Sequence, residues 1–469
     1  MRTSSTVLGS LALLLPALAG CSAAPSDSSK EAIGTVNVAI EKVPTDVTCI
    51  EIDVVGLNTI TQRFPVKAGA SSVLNVTGLP LGSIDISGQA WNGTCQNIGA
   101  PATWAAQSVS TLIQAGKPAS ANLTFFPVTN AQVGVDFESE TYRNVTTLAG
   151  GLRQTGSVDG VGAAARFNRP QFLANDGANL YVADGVNETI RKIVIANGAV
   201  TTLAGNPSAV GNGVDGVGSA ATFNHPEGIA FDSGNLYIAD SSDGTIRKLV
   251  LGTNAVTTLA GQAGVSGSTD GAGADALFNE PFGVTADGAG HLFVADVGNA
   301  NIRQIDLATG AVTTIAGSAL QTGNVDGIGA AARFLSPGGI ATDGSELYVT
   351  DGSTVRMVDI ASGHVYTILG DPATPGTADG FAPRFNTPEG IAFDASGQNL
   401  FITDPIDSNV RQYSFNTGIV TTVAGTAGVF GFADGLGPAA EFSITIGVTV
   451  DPRGTVYVSD TSNQLIRKM

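Results

Sequence analysis

Residues 145–150 read VTTLAG, and close copies begin at Val200, Val256, Val312, Val365 (VYTILG) and Val420 (VTTVAG). The starts lie 53 to 56 residues apart, so six units follow one another without a break to residue 469. Within each unit lie four short runs rich in aliphatic and β-branched residues; in the second unit they are GIAFD, NLYIAD, TIRKLVL and AVTTLAG. Such runs between glycines are strands joined by tight turns. Four strands per unit, repeated six times, point to a six-bladed β-propeller. The copy at Val145 has no three strands before it, and the last unit ends at Ile466-Arg467-Lys468 without a fourth. Each end lacks what the other has. An N-terminal outer strand at 145–150 is therefore expected to complete the last blade, closing the ring and removing the edges an open array would expose.

The composition agrees with an all-β chain. Glycine accounts for 61 of 469 residues and charged residues for only 13%, which favours many short strands and few helices. The formal net charge is -18 and the pI near 4.4. That balance argues against a nucleic-acid partner, because such affinity comes from lysine and arginine neutralising phosphates. A cationic or neutral partner fits better.

The first twenty residues, MRTSSTVLGSLALLLPALAG, carry one basic residue and an apolar stretch from Val7 to Ala19, followed by Leu18-Ala19-Gly20-Cys21. This resembles a bacterial lipoprotein signal peptide ending in a lipobox; the apolar stretch is too short for a good membrane span. The other reading is an ordinary secretory signal with a chance cysteine. The resemblance implies that Cys21 is acylated, so that the protein sits on a membrane without crossing it. Ser22 carries no acidic retention cue, and resemblance to lipoprotein sorting then places the chain in the bacterial cell envelope, at the outer membrane.

Residues 21–30 are small and polar, a flexible tether. Residues 31–138 alternate apolar and polar positions in TVNVAI (35–40), CIEIDVVG (49–56), SVLNVTGL (72–79) and SIDISGQAW (83–91). That period predicts sheets with one buried face, best arranged as a small β-sandwich. The remaining cysteines, Cys49 and Cys95, fall in this domain. Outside the cytoplasm they are expected to form a disulfide, two separate buried thiols being the alternative. The propeller domain occupies residues 139–469.

The units GIAFDSGNLYIADSSDGTIRKL, GVTADGAGHLFVADVGNANIRQI and GIAFDASGQNLFITDPIDSNVRQY resemble the NHL repeat family, with its PxGIAxDxxGNLYVADxxNxxIRK pattern. The resemblance covers residues 145–469. An added segment of the type GxxDGxGxxAxFNxP makes these repeats long, as in teneurins and thioredoxin-linked NHL proteins, although no CxxC is present. The resemblance implies the fold and says little about function.

Two recurring sets read as scaffold. Asp184, Asp240, Asp296, Asp351, Asp404 and Asp460 are each followed by an arginine, Arg191, Arg247, Arg303, Arg356, Arg411 and Arg467. Six identical copies suit a within-blade ion pair or turn clamp better than one active site. The loop aspartates Asp159, Asp215, Asp270, Asp326, Asp379 and Asp434 are expected to hold a DG turn or cap a one-turn helix. Calcium is the other possibility, but one carboxylate per loop falls short of the six to eight oxygens it takes.

More informative are positions that differ on the common frame. Before the PxG proline stand Arg169, His225, Glu280, Ser336, Thr387 and Ile444, and after it Gln171, Glu227, Phe282, Gly338, Glu389 and Ile446. Blades one and six depart from the rule, with Phe172 for the glycine and Thr445 for the proline. Varying residues on one rim of a symmetric ring make an asymmetric binding site, here Arg169, Gln171, His225, Glu227, Glu280, Phe282 and Glu389; unselected exposure is the other account. The expected function is a lipid-anchored binding or scaffold protein whose rim takes a protein, peptide or glycan, without catalysis, cofactor or metal. The alternative is a metal-dependent lactonase-like or lyase-like enzyme using Glu227, Glu280 and Glu389. His291 and His364 fall on the opposite face from His225, and no GxSxG or phosphate-cradling loop is present.

Overall fold

A computed structural model describes residues 142–209, 211 and 213–469, and before them segments 33–40, 49–55, 59–67, 72–80, 82–91, 104–113, 119–122 and 125–127. The chain divides into two compact units, 1–128 and 129–469. Cys21, and with it the signal-like segment and tether, lies outside the described residues. Cys95 does too.

In the first unit the described strands form two sheets. One holds three strands, with Ile33–Ile40 between Ser72–Pro80 and Ala119–Asn122. The other holds five, in the order Thr59–Pro65, Cys49–Val55, Gly82–Trp91, Trp104–Ile113, Phe125–Pro127. Ile50, Ile52, Leu74 and Val76 are buried, as the alternation requires. Cys49 is buried and disulfide-bonded, and stands opposite Trp91 in the strand register.

The second unit is a six-bladed β-propeller, with one antiparallel sheet per repeat. Blade 1 runs from an innermost strand Pro170–Asn175 through Asn179–Asp184 and Thr189–Val194 to an outer strand Ala199–Gly205. Blades 2 to 6 begin with innermost strands Pro226–Asp232, Pro281–Ala286, Pro337–Thr342, Ile391–Phe393 and Thr445–Val450. In the sheet of blade 6, Asn144–Ala149 pairs antiparallel with Leu465–Lys468, setting Ile466 opposite Ala149 and Arg467 opposite Thr147. Among the described residues the only helical segments are single 3-10 turns.

The second strand of every blade is buried on both faces. This is why NLYIAD does not alternate: each sheet lies between two others, so both faces meet apolar neighbours. Leu236 and Ile238 of blade 2 pack with Tyr181 and Ala183 of blade 1, and Leu180 and Val182 of blade 1 pack with Tyr457 and Ile466 of blade 6.

The added repeat segment runs back along the outer edge of its own blade. Gly160–Val161 pairs with the outer strand, Gly160 opposite Val200, and blades 2, 3, 4 and 6 repeat the pairing. In blade 5 a single bridge between Gly380 and Val420 takes its place. The loop aspartate secures this strap. Asp159 accepts from Arg191 Nη2 at 2.9 Å and from the backbone N–H and hydroxyl of Thr202. The aspartates therefore hold the strap rather than cap the following 3-10 turns, whose ends have no side-chain cap.

Arg191 itself is fully buried. Its Nη1 lies 2.8 Å from Asp184 Oδ2, and its guanidinium stacks over Phe167 at 5.2 Å. The same inner carboxylate pairs with arginine in blades 2, 3, 4 and 6. In blade 5 Arg411 bonds to Asp379 and to the carbonyls of Ala378 and Arg384. Every blade has the aromatic ring beneath its arginine, 4.7–5.3 Å away. Burial pushes Asp184, Asp240, Asp296 and Asp460 up to about 6, against the pull of their arginines and hydrogen-bond donors.

Candidate functional site

The residues after the PxG proline form a ring at one mouth of the central channel: Gln171, Glu227, Phe282, Gly338, Glu389 and Ile446, one per blade. Directly below them five blades carry glycine. A Cβ on Gly228, Gly283, Gly339, Gly390 or Gly447 would lie 2.5 Å or less from the carbonyl oxygen of the ring residue in the next blade. The innermost strands thus touch backbone to backbone, which only glycine permits. In blade 1 Phe172 occupies this level, and its ring meets Phe282 edge to face at 5.2 Å. Phe172 and Phe282 form an apolar wall on one side of the mouth.

The opposite character comes from Gln171 and Glu227, which are 3% and 5% exposed. Gln171 Nε2 donates to Glu227 Oε1 at 3.2 Å, and His225 Nε2 lies 3.1 Å from the same oxygen. Gln171 Oε1, Glu227 Oε2 and Glu389 Oε2 are buried without a hydrogen-bond partner. An unpaired buried acceptor costs about 1–3 kcal/mol, which a donor reaching it would recover.

Burial raises Glu227 above the usual carboxylate range, opposed by its bond to His225. Burial also pushes Glu389 up to about 7, assisted by the charges of Glu227 and Asp404 and opposed by Arg169. The bond to Glu227 raises His225, while burial and Arg169 act the other way. Glu188, in the turn between strands two and three of blade 1, adds a second carboxylate beside His225. Its contribution could not be read from the rim pattern, because it belongs to a different turn.

Four pre-proline-type positions are held in the left-handed region: Arg169 (φ 57°), His225 (61°), Glu280 (54°) and Ile444 (59°). The right-handed helical region is disfavoured before proline, and for β-branched Ile444, which precedes Thr445, left-handed backbone is a strained choice. Neighbouring blades hold two of these residues in place. Arg169 N–H donates to Gln464 Oε1 at 2.6 Å, and Ile444 N–H to Ser408 Oγ at 3.0 Å.

Of the seven rim residues singled out in the sequence, Gln171, Glu227, His225 and Glu389 form one electrostatic group, with Arg169 exposed beside it and Phe282 facing Phe172. Glu280 is exposed at the pre-proline position, two residues before the ring residue Phe282. The carboxylate trio required by a metal enzyme is thus not assembled: among the described residues no three His, Cys, Asp or Glu side chains are grouped to hold a metal ion. His291 bonds to Asp287 and His364 stacks on Tyr366, both away from the mouth. The channel beyond the mouth, lined by Leu173, Ile229, Val284, Ile340 and Val448 among others, encloses about 240 Å³.

Comparison with known proteins agrees with this architecture. The NHL repeat model matches residues 223–249. The chain is 27% identical over 326 residues to NHL repeat-containing protein 2 of Gallus gallus, covering 62% of this chain and 44% of that protein. It is 28% identical over 271 residues to Protein SUPPRESSOR OF QUENCHING 1, chloroplastic, of Arabidopsis thaliana, covering 54% and 26%. The chain spans less than half the length of these curated relatives. Among solved structures, a protein of unknown function from Bacteroides thetaiotaomicron superposes with a TM-score of 0.53 at 20% identity, covering 89% of this chain and 90% of the other. A protein from the same organism described as an auxiliary nutrient binding protein has the same TM-score and coverage at 15% identity. At these identities the likeness concerns the fold. With six in-phase units and one antiparallel sheet from each, the second unit is a six-bladed β-propeller whose repeats are similar to the NHL repeat.

Proposed function

We propose that this chain is a lipid-anchored extracytoplasmic binding protein whose propeller presents the Gln171–Glu227–Glu389 mouth to a protein, peptide or glycan. One observation carries the reading: a frame repeated six times places a glutamine, two glutamates, a phenylalanine, an isoleucine and a glycine around one opening, and three of these residues keep buried oxygens without partners. A ligand with hydrogen-bond donors would satisfy those atoms, which the fold itself does not require. The similarity in fold to an auxiliary nutrient binding protein is consistent with a binding role.

In the same reading, Cys21 carries the acyl chains, residues 21–30 tether the protein to the outer membrane, and residues 31–138 stack their two sheets as a β-sandwich spacer. Cys49 is joined to Cys95, which follows four residues after the strand partner Trp91. The 145–150 strand closes the ring, leaving the mouth on a rigid support.

The binding reading is tested by screening the purified protein against glycan and peptide arrays and repeating each hit with Phe282→Ala. A hit lost in that variant supports the mouth as the site; hits unaffected by it place binding elsewhere. The anchor is tested with Cys21→Ser, which should release the protein from the membrane fraction. Retention there would refute lipidation.

A further inference from the structure

The three unpartnered oxygens share a property that narrows the ligand. All three accept hydrogen bonds, and all belong to negatively charged or neutral groups. Glu227 stands in blade 2 and Glu389 in blade 5, three blades apart in a ring of six, so they face each other across the channel axis. Gln171, in blade 1, is bonded to Glu227 through its Nε2, which leaves its Oε1, like Glu227 Oε2, without a partner. His225 and Gln171 both occupy Glu227 Oε1, so Oε2 is the oxygen left for a ligand.

We infer that the mouth binds a primary ammonium group, whose three N–H donors match Gln171 Oε1, Glu227 Oε2 and Glu389 Oε2, with the attached alkyl chain lying against Phe172 and Phe282. This deepens the binding reading above and depends on it. A primary ammonium supplies three donors and no acceptor. Its charge also relieves the repulsion between two carboxylates that share a desolvated opening. A lysine side chain or a small alkylamine has this chemistry; a neutral sugar lacks the charge, and a quaternary ammonium lacks the donors.

The groups facing Glu389 are Glu227, Asp404 and Arg169, with His225 and Gln171 beyond Glu227. Without ligand, Glu389 holds its proton up to about pH 7. A bound cation favours its ionised form, so binding releases a proton, and affinity rises with pH between 6 and 8, by at most about tenfold per unit.

The test is isothermal titration of the full mature chain with Nα-acetyl-lysine amide, its Nε-acetyl and Nε-trimethyl forms, and a panel of neutral mono- and disaccharides. Binding of the free amine is expected, with loss on Nε-acetylation and at least a tenfold loss on trimethylation. Its affinity should rise from pH 6 to pH 8, with proton release that changes the apparent heat between buffers. E227Q should weaken binding at least tenfold, and E389Q should remove the pH dependence; unchanged thermal melting shows that both variants are folded. Amine binding that is indifferent to E227Q, or equal for the acetylated form, overturns the inference. A sugar hit lost in Phe282→Ala overturns the ammonium assignment and leaves the binding reading standing, whereas no binding by any probe or array overturns both.

Discussion

Gly390 explains a sequence feature whose reason the sequence does not show. Its N–H donates to Thr403 Oγ1 at 2.8 Å, and that hydroxyl donates to the Ile446 carbonyl of the next blade at 2.6 Å. A methyl group at Gly390 would meet the same carbonyl and hydroxyl, and the carbonyl belongs to a backbone that cannot yield without moving blade 6. Gly390→Ala is therefore expected to destabilise the propeller by about 1–3 kcal/mol, as overpacking does in a tight core, measured by urea unfolding. A loss under half of that range would mean that the blades separate more easily than their contacts imply. The glycine was visible in the repeat; its partner, the carbonyl one blade on, is a contact of tertiary structure alone. Glu280 gives the converse lesson. It varies on the same frame as Glu227, yet it stands two positions earlier, before the strand begins, which places it in solvent instead of in the mouth.

At the scale of the element, the strand Asn144–Ala149 carries the largest consequence. Val145 is fully buried among Phe401, Val410 and Val423 of blade 5 and Val448 and Val458 of blade 6. Val420, its counterpart in blade 5, is equally buried. Val145→Ala and Val420→Ala should then cost the same, roughly 1–3 kcal/mol for the transfer and cavity terms together. A silent Val145→Ala beside a costly Val420→Ala would show that the strand is detached in solution. The edge straps were legible as an added DG-containing segment, although their role was not. The DG pattern suggests a turn or a cap, and sequence cannot show that Asp159 reaches an arginine 32 positions on.

The whole molecule carries a pH signature set by its buried carboxylates. Asp184, Asp240, Asp296 and Asp460 stand near 6, and Asp351 and Asp404 are raised as well, chiefly by burial. These groups keep protons in the folded chain that they would lose in the unfolded chain between about pH 4 and 6. Where the folded state binds more protons, stability falls as pH rises. The melting temperature should therefore climb by a few degrees from pH 7 to pH 5, as read by calorimetry. Further acid should reverse the trend, because Asp176, Asp215 and Asp451 are lowered and lose their hydrogen-bonded charge. A melting temperature that falls steadily below pH 7 would contradict this account. The sequence by itself determined the six-fold frame, the strand boundaries and the paired aspartate and arginine, since each follows from local periodicity and from one unit repeated in phase. Only the tertiary structure decided which varied residues meet at the mouth. Gln171, Glu227 and Glu389 lie in separate repeats, and their convergence depends on the tilt and curvature of a ring that no single repeat encodes.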